Sequence, residues 1–145
     1  MNNATPHSKM AARAHRKGFK PLPANGWSPE WGPWEDYVER CVHEGAQVKN
    51  DEFGVYIEWL NGSGNPHRED GPAQEYSDGS KVWWVNGRQH REDGPAVERP
   101  DGYKAWCVNG LLHRLDGPAK VLADGTVAFY KDGIKYTDIT FTQRF

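Results

Sequence analysis

One amphipathic helix is predicted in the first third of the chain. Its apolar residues fall on one face of a 3.6-residue period, with charged residues between them: Trp34, Tyr37, Val38, Cys41 and Val42. Pro33 suits a first helical turn and Gly45 a C-terminal stop, so we expect a helix from Pro33 to Glu44. A lone helix cannot bury its own stripe. We expect it to cap an open end of a following sheet, with docking on a partner as the alternative.

Three sequence landmarks recur every 23 residues from residue 54 onward. The heptapeptide His-Arg-Glu-Asp-Gly-Pro-Ala occupies 67–73 and 90–96, and His-Arg-Leu-Asp-Gly-Pro-Ala occupies 113–119. Asp-Gly begins at 78, 101 and 124, while Asn-Gly begins at 86 and 109 and is altered to Asp-Gly at 132. A constant period of this length indicates a stack of repeated structural units.

Each unit is predicted to contain two strands. Asn-Gly and Asp-Gly between short runs of Val, Trp, Tyr and Thr are typical of two-residue hairpin turns. We therefore expect a mainly β fold, an antiparallel meander of stacked β-hairpin repeats over residues 54–145. The run 137–145 is a candidate C-terminal cap, and Gly94 and Gly117 are expected to adopt positive φ in turns.

Two aromatic columns follow from the period. Two residues before each turn lies a column that we expect to be core: Trp59, Trp84, Cys107 and Tyr130. The adjacent column points to the other face, because strand side chains alternate, and it is either covered or a binding surface. The predicted partner-binding residues are this second column and its charged neighbours: Trp83, Trp106, Phe129, Lys81, Lys104 and Arg88.

The first 26 residues differ from the rest of the chain. They carry five basic residues before the first acidic one, Glu30: Lys9, Arg13, Arg16, Lys17 and Lys20. We interpret 1–26 as a flexible basic arm, either a solvated tail or a segment that orders on RNA, DNA or an acidic protein. Residues 27–53 form a Trp-rich segment that contains the capping helix. The net charge of the whole chain is -2, which excludes a uniformly basic nucleic-acid binder.

The remaining composition sets the expected location and chemistry. No apolar run approaches the roughly 20 residues of a membrane span. The two cysteines form no disulfide framework, and no secretory signal is evident, so we expect a cytoplasmic protein. The His-Arg-x-Asp clusters could hold a metal or serve as acid-base pairs, but a catalytic set is usually needed only once. We expect these clusters to be structural, with no cofactor and no enzymatic activity.

One stretch resembles a known repeat family. Residues 84–90, Trp-Val-Asn-Gly-Arg-Gln-His, are similar to the Trp-x-x-Gly-x-x-His section of the MORN repeat, and the resemblance covers roughly 54–136. Arg91 and Arg114 follow the histidine where the usual pattern has glycine, as in a variant found in bacterial, bacteriophage and giant-virus proteins. The resemblance implies a β-hairpin scaffold that acts as an interaction platform.

Three function classes follow. The first is a non-enzymatic protein–protein interaction module, in a phage-encoded setting one that docks on or inhibits a host factor in the host cytoplasm. The second is nucleic-acid association through the basic arm. The third is a metal-dependent or hydrolytic protein that uses the His-Asp clusters.

Overall fold

The computed structural model describes residues 22–137, and within this range the fold is mainly β with one α-helix. A 3₁₀ turn, Pro29–Trp31, precedes helix α1, Trp34–His43. The strands are β1 Gln47–Asp51, β2 Gly54–Glu58, β3 Gln74–Tyr76, β4 Lys81–Val82, β5 Trp84–Val85, β6 Arg88–Gln89, β7 Val97–Glu98, β8 Lys104–Ala105, β9 Cys107–Val108, β10 Leu111–Leu112, β11 Lys120–Val121, β12 Val127–Lys131 and β13 Ile134–Tyr136. The predicted fold class is confirmed.

The strands form one long antiparallel meander with short side ladders. Nine strands make the main sheet in the order β1-β2-β3-β4-β7-β8-β11-β12-β13. The other four form two small hairpins, β5–β6 and β9–β10, which extend the β4–β7 and β8–β11 pairs. The repeated heptapeptide lies outside the named strands, directly before β3, β7 and β11, and we call it the motif bulge (67–73, 90–96 and 113–119).

The two kinds of turn differ in geometry. Asn86 and Gly87 both have positive φ, 50° and 79°, as the expected two-residue hairpin turn requires. In the Asp-Gly turns that begin at 78, 101 and 124 only the glycine does, as Gly79 shows with φ 97°, whereas Asp132 and Gly133 both have positive φ like the Asn-Gly turns. The carboxylate of Asp78 accepts the backbone N–H of Ser80 at 2.7 Å. These are therefore three-residue hairpins that end in a left-handed glycine, and the two-residue expectation was wrong for them.

Helix α1 caps the N-terminal end of the sheet. Pro33 precedes its first residue, and Gly45 follows it with φ 115°. The helix packs on β1 and β2 and buries Tyr37 and Cys41 in one cluster with Leu22, Ile57 and Trp59. Strand β1 was not among the predicted strands. Within residues 22–137, no helix is long and apolar enough to cross a membrane.

The tryptophan columns differ from the expected arrangement. The backbone N–H groups of Trp59, Trp83 and Trp106 donate to the motif alanines Ala73, Ala96 and Ala119, at 2.8, 2.8 and 2.7 Å. Trp59 therefore belongs with Trp83 and not with Trp84. Counting back from the turn misplaces Trp59 because its unit has a longer loop, in which Asn61 donates to the carbonyl of Asn65.

Burial matches the corrected alignment at Trp59 and Trp83, whereas Trp106 is only half-buried. Trp83 is buried, only 7% exposed, whereas Trp84 is half-buried and donates its indole N–H to Gln74 at 2.8 Å. In the column expected to be core, Trp59 and Cys107 are buried, and Tyr130 is half-buried. The core of the repeats therefore lies around Trp83, together with the small residues Ala96 and Ala105.

Candidate functional site

Each motif bulge folds its arginine back over a tryptophan. The guanidinium carbons of Arg68, Arg91 and Arg114 lie 4.9, 3.8 and 4.0 Å from the ring centroids of Trp59, Trp83 and Trp106. Nη1 of each arginine also donates to the carbonyl of the motif proline, Pro72, Pro95 or Pro118, at 3.1 Å. The arginine thus covers the aromatic ring and closes the bulge.

The motif carboxylate completes this arrangement. Nε of Arg91 donates to Asp93 at 3.0 Å, and Nε of Arg114 donates to Asp116 at 3.1 Å. Both carboxylates remain open to solvent. Asp93 and Asp116 therefore orient their arginines, and in the first unit Asp70 lies 3.5 Å from Nε of Arg68.

The motif glycines serve close approach and not positive φ. None of the three motif glycines, Gly71, Gly94 and Gly117, has positive φ, so the expectation of positive φ at Gly94 and Gly117 was wrong. A Cβ at Gly94 would lie 2.9 Å from the guanidinium carbon of Arg91, and one at Gly117 would lie 3.0 Å from that of Arg114. Glycine leaves room for the arginine, which passes directly over the backbone.

The histidines connect neighbouring units. Nδ1 of His67, His90 and His113 accepts the backbone N–H of Asn86, Asn109 and Asp132, at 2.9, 3.0 and 3.1 Å. The glycine after each of these turn residues donates to a carbonyl of the preceding unit, as Gly110 does to Gln89 at 2.8 Å. Each turn is thus held by the unit before it. Among the described residues, no group of three His, Cys, Asp or Glu side chains could hold a metal ion.

Two grooves lie between successive motif bulges and repeat the same residues. The first groove is lined by Arg68, Glu69, Asp70, Gly71, Trp83, Val85, His90, Arg91, Glu92 and Asp93. Adding 23 to each of these numbers gives residues of the second groove: Arg91, Glu92, Asp93, Gly94, Trp106, Val108, His113, Arg114, Leu115 and Asp116. Glu92 and Asp116 project into solvent at the groove margins.

The first groove receives a turn of the N-terminal segment. Ala24 and Asn25 line it, and Gly26 donates to the carbonyl of Pro23 at 3.3 Å, which defines the turn Pro23–Gly26. Lys81 Nζ donates to the carbonyl of Asn25 at 2.9 Å. Leu22, 3% exposed, fixes the start of this segment in the helix core. The last residues of the predicted arm thus lie against the repeats.

A buried carboxylate secures the same turn. Glu75 accepts the backbone N–H of Trp27 at 2.6 Å and the hydroxyl of Tyr37, and Nη1 of Arg68 lies 3.8 Å away. Burial raises the pKa of Glu75, against the opposing effects of these partners. Burial, followed by the nearby Glu75 charge, also raises the pKa of Tyr37, and the same causes raise the pKa of Cys41 to about 12.

The predicted partner-binding residues are only partly brought together. Trp83 is covered by Arg91, so its assignment as an exposed anchor was wrong, and Trp106 is half-buried beneath Arg114. Lys81 holds the N-terminal turn, while Lys104 is exposed on β8.

Two further predicted residues lie elsewhere. Phe129 is half-buried in β12. Arg88 is exposed beside a hairpin turn, and a Cβ added at Gly110 would lie 3.7 Å from the Cβ of Arg88. The predicted arm residues Lys9, Arg13, Arg16, Lys17 and Lys20, and the cap residues 138–145, lie outside the described residues.

Sequence reasoning missed Glu75 and the groove. The available signal was the recurrence of Glu and Lys at fixed positions of the unit, Glu75 with Lys81 and Glu98 with Lys104. No family model, curated protein or solved structure matches the chain.

Proposed function

We propose that this chain is a non-enzymatic protein–protein interaction module that binds its partner through the grooves between motif bulges. The observation that carries the proposal is the recurrence of the ten first-groove residue positions in the second groove. Repeat proteins use such rows of similar concave surfaces for binding. The resemblance to an interaction repeat supports the same class.

The grooves suit binding because their walls are already ordered. Arg91 is held by a ring, a carbonyl and a carboxylate, so little side-chain freedom remains to be lost when a partner binds. Asp93 and Asp116 are each 87% exposed beside their arginines and place negative charge along the groove margins. A partner surface with basic residues beside a small protruding segment fits this pattern.

The other two classes have less support. Residues 22–137 hold 12 basic and 19 acidic residues, a net charge of -7, so this part of the chain repels phosphate. Nucleic-acid binding would depend on the arm, residues 1–26. The histidines that a hydrolase or metal protein would use accept hydrogen bonds from turn amides. Following the phage-type resemblance, the partner in this proposal is a host protein in the cytoplasm.

Affinity capture with the full chain as bait tests the proposal. Glu92→Lys reverses a charge that borders both grooves, and Glu52→Lys makes the same change at an exposed turn far along the sheet. We expect Glu92→Lys to lose the captured partner and Glu52→Lys to retain it. Nucleic-acid association would be supported instead if Glu92→Lys has no effect on capture, deletion of residues 1–20 abolishes it, and capture weakens steeply as the salt concentration rises.

A further inference from the structure

The four residues that hold the N-terminal turn recur in the next unit. Gly71, Pro72, Glu75 and Lys81 contact the turn Pro23–Gly26 and Trp27. Their equivalents, 23 residues later, are Gly94, Pro95, Glu98 and Lys104. We call the first set the occupied site and the second set the copied site.

The occupied site recognises backbone more than side chains. Gly71 makes room for the carbonyl of Ala24, since a Cβ there would lie 2.6 Å from that oxygen. Lys81 binds a carbonyl, and Glu75 binds an N–H group. A Cβ at Gly26 would collide with Glu75 and lie 3.0 Å from Pro72, and Gly26 has φ 88°. The site therefore selects a turn with a glycine at its fourth position.

The copied site retains the geometry of its charged pair. Glu75 and Lys81 are directly opposite each other on β3 and β4, and Glu98 and Lys104 are directly opposite each other on β7 and β8. Arg91 Nη1 donates to Glu98 at 3.2 Å, as Arg68 Nη1 approaches Glu75. The carboxylate is thus held by the arginine of its own motif bulge in both units.

Exposure and sequence distinguish the three units. Lys81 is half-buried where the turn lies, whereas Lys104 is exposed, so within residues 22–137 no turn covers the copied site as Pro23–Gly26 covers the occupied one. In the third unit, Val121 and Val127 replace the charged pair. Of the three units, only the second has all four residues of the site and leaves its lysine exposed.

We propose that the copied site binds a glycine-containing β-turn of a partner protein, in the way that the occupied site binds Pro23–Gly26. A partner carbonyl accepts from Lys104, and the N–H after the turn glycine donates to Glu98. A small residue at the second turn position lies over Gly94. This inference rests on the proposed function and names the segment of the partner that is recognised.

A synthetic peptide with the sequence of residues 21–32, labelled at its C-terminus, provides the probe. We expect saturable one-to-one binding to the full chain by fluorescence anisotropy, and loss of binding when Gly26 of the peptide is replaced by Val. In the protein, Lys104→Ala should weaken binding about tenfold or more, because it removes a charged donor. Lys135→Ala, a matched exposed change on β13, should leave the affinity unchanged.

Three results would overturn the inference. The first is that the peptide shows no saturable binding, and the second is that it binds the Lys104→Ala protein with unchanged affinity. The third is that Lys81→Ala weakens peptide binding and Lys104→Ala does not, which would show that the peptide exchanges with the chain's own turn. The proposed function is judged separately. If capture of the partner still depends on Glu92 while the peptide does not bind, the interaction module stands and only the turn inference fails.

Discussion

Nδ1 of His90 accepts the backbone N–H of Asn109 at 3.0 Å, across the boundary between two units. An imidazole nitrogen that accepts this bond carries no proton, so the neutral ring has its proton on Nε2. The same contact occurs at His67 and His113. The histidine thus fixes each of these three turns to the preceding unit.

Replacing His90 tests that contact. His90→Ala leaves the Asn109 amide without its acceptor and should destabilise the fold by about 1 kcal/mol. His90→Asn should recover part of this loss, because its Oδ1 can occupy the position of Nδ1. Amide hydrogen exchange at Asn109 reports the contact directly. Unchanged exchange in His90→Ala would contradict the assignment.

The two adjacent tryptophans should differ in their contribution to stability. Trp83→Ala removes a buried ring and should cost about 3 to 5 kcal/mol in urea denaturation. Trp84 is half-buried and makes one side-chain hydrogen bond, so Trp84→Ala should cost clearly less. A larger loss from Trp84→Ala would mean that the aromatic columns are assigned to the wrong faces.

Gly94→Ala tests the close approach of arginine. The new Cβ would displace the Arg91 guanidinium from Trp83, and we expect a loss of about 1 to 3 kcal/mol. Gly62 provides the matched control, because it lacks positive φ and a Cβ there has open space around it. Gly62→Ala should therefore change the unfolding free energy by less than about 0.5 kcal/mol.

A double-mutant cycle strengthens this test. In an Arg91→Ala background, the guanidinium that Gly94→Ala displaces is absent, so most of the cost of Gly94→Ala should vanish. Strict additivity of the two changes would show that Gly94 is needed for another reason.

Glu75 should give the protein a specific pH dependence. Burial raises its folded pKa above the unfolded value of about 4.3, so its contribution to stability is present below that pH and is lost as the pH rises through the folded pKa. We expect the stability of the native protein relative to Glu75→Gln to fall from pH 4 towards pH 8. Denaturation of both proteins across this range measures it. A difference independent of pH would contradict the raised pKa.

The repeat and its hairpins were predictable because their signals are local. Asn86-Gly87 adopts the two positive φ angles that this dipeptide favours, and the 23-residue period locates all three motif bulges. The helix was predictable for the same reason, since its apolar stripe and its stop at Gly45 lie within a dozen residues.

The errors arose where a side-chain path, a loop length or a distant contact decides the structure. The need for Gly94 depends on the path of the Arg91 side chain, which no turn propensity encodes. The occupied site joins Trp27 to Glu75, 48 residues apart, so no local pattern reveals it. Trp59 was misaligned because the longer loop of its unit shifted the count by one residue.

The regular contact between each histidine and the next turn goes with a constant separation between equivalent points on successive units. Donor and acceptor are 19 residues apart in all three copies, and each unit adds two strands to the sheet. Neighbouring strands lie about 4.8 Å apart, so equivalent points on successive units are separated by about 10 Å. That interval matches one turn of a polyproline II segment, three residues at about 3.1 Å each. A partner segment in that conformation that follows the stack would present every third side chain to equivalent surroundings.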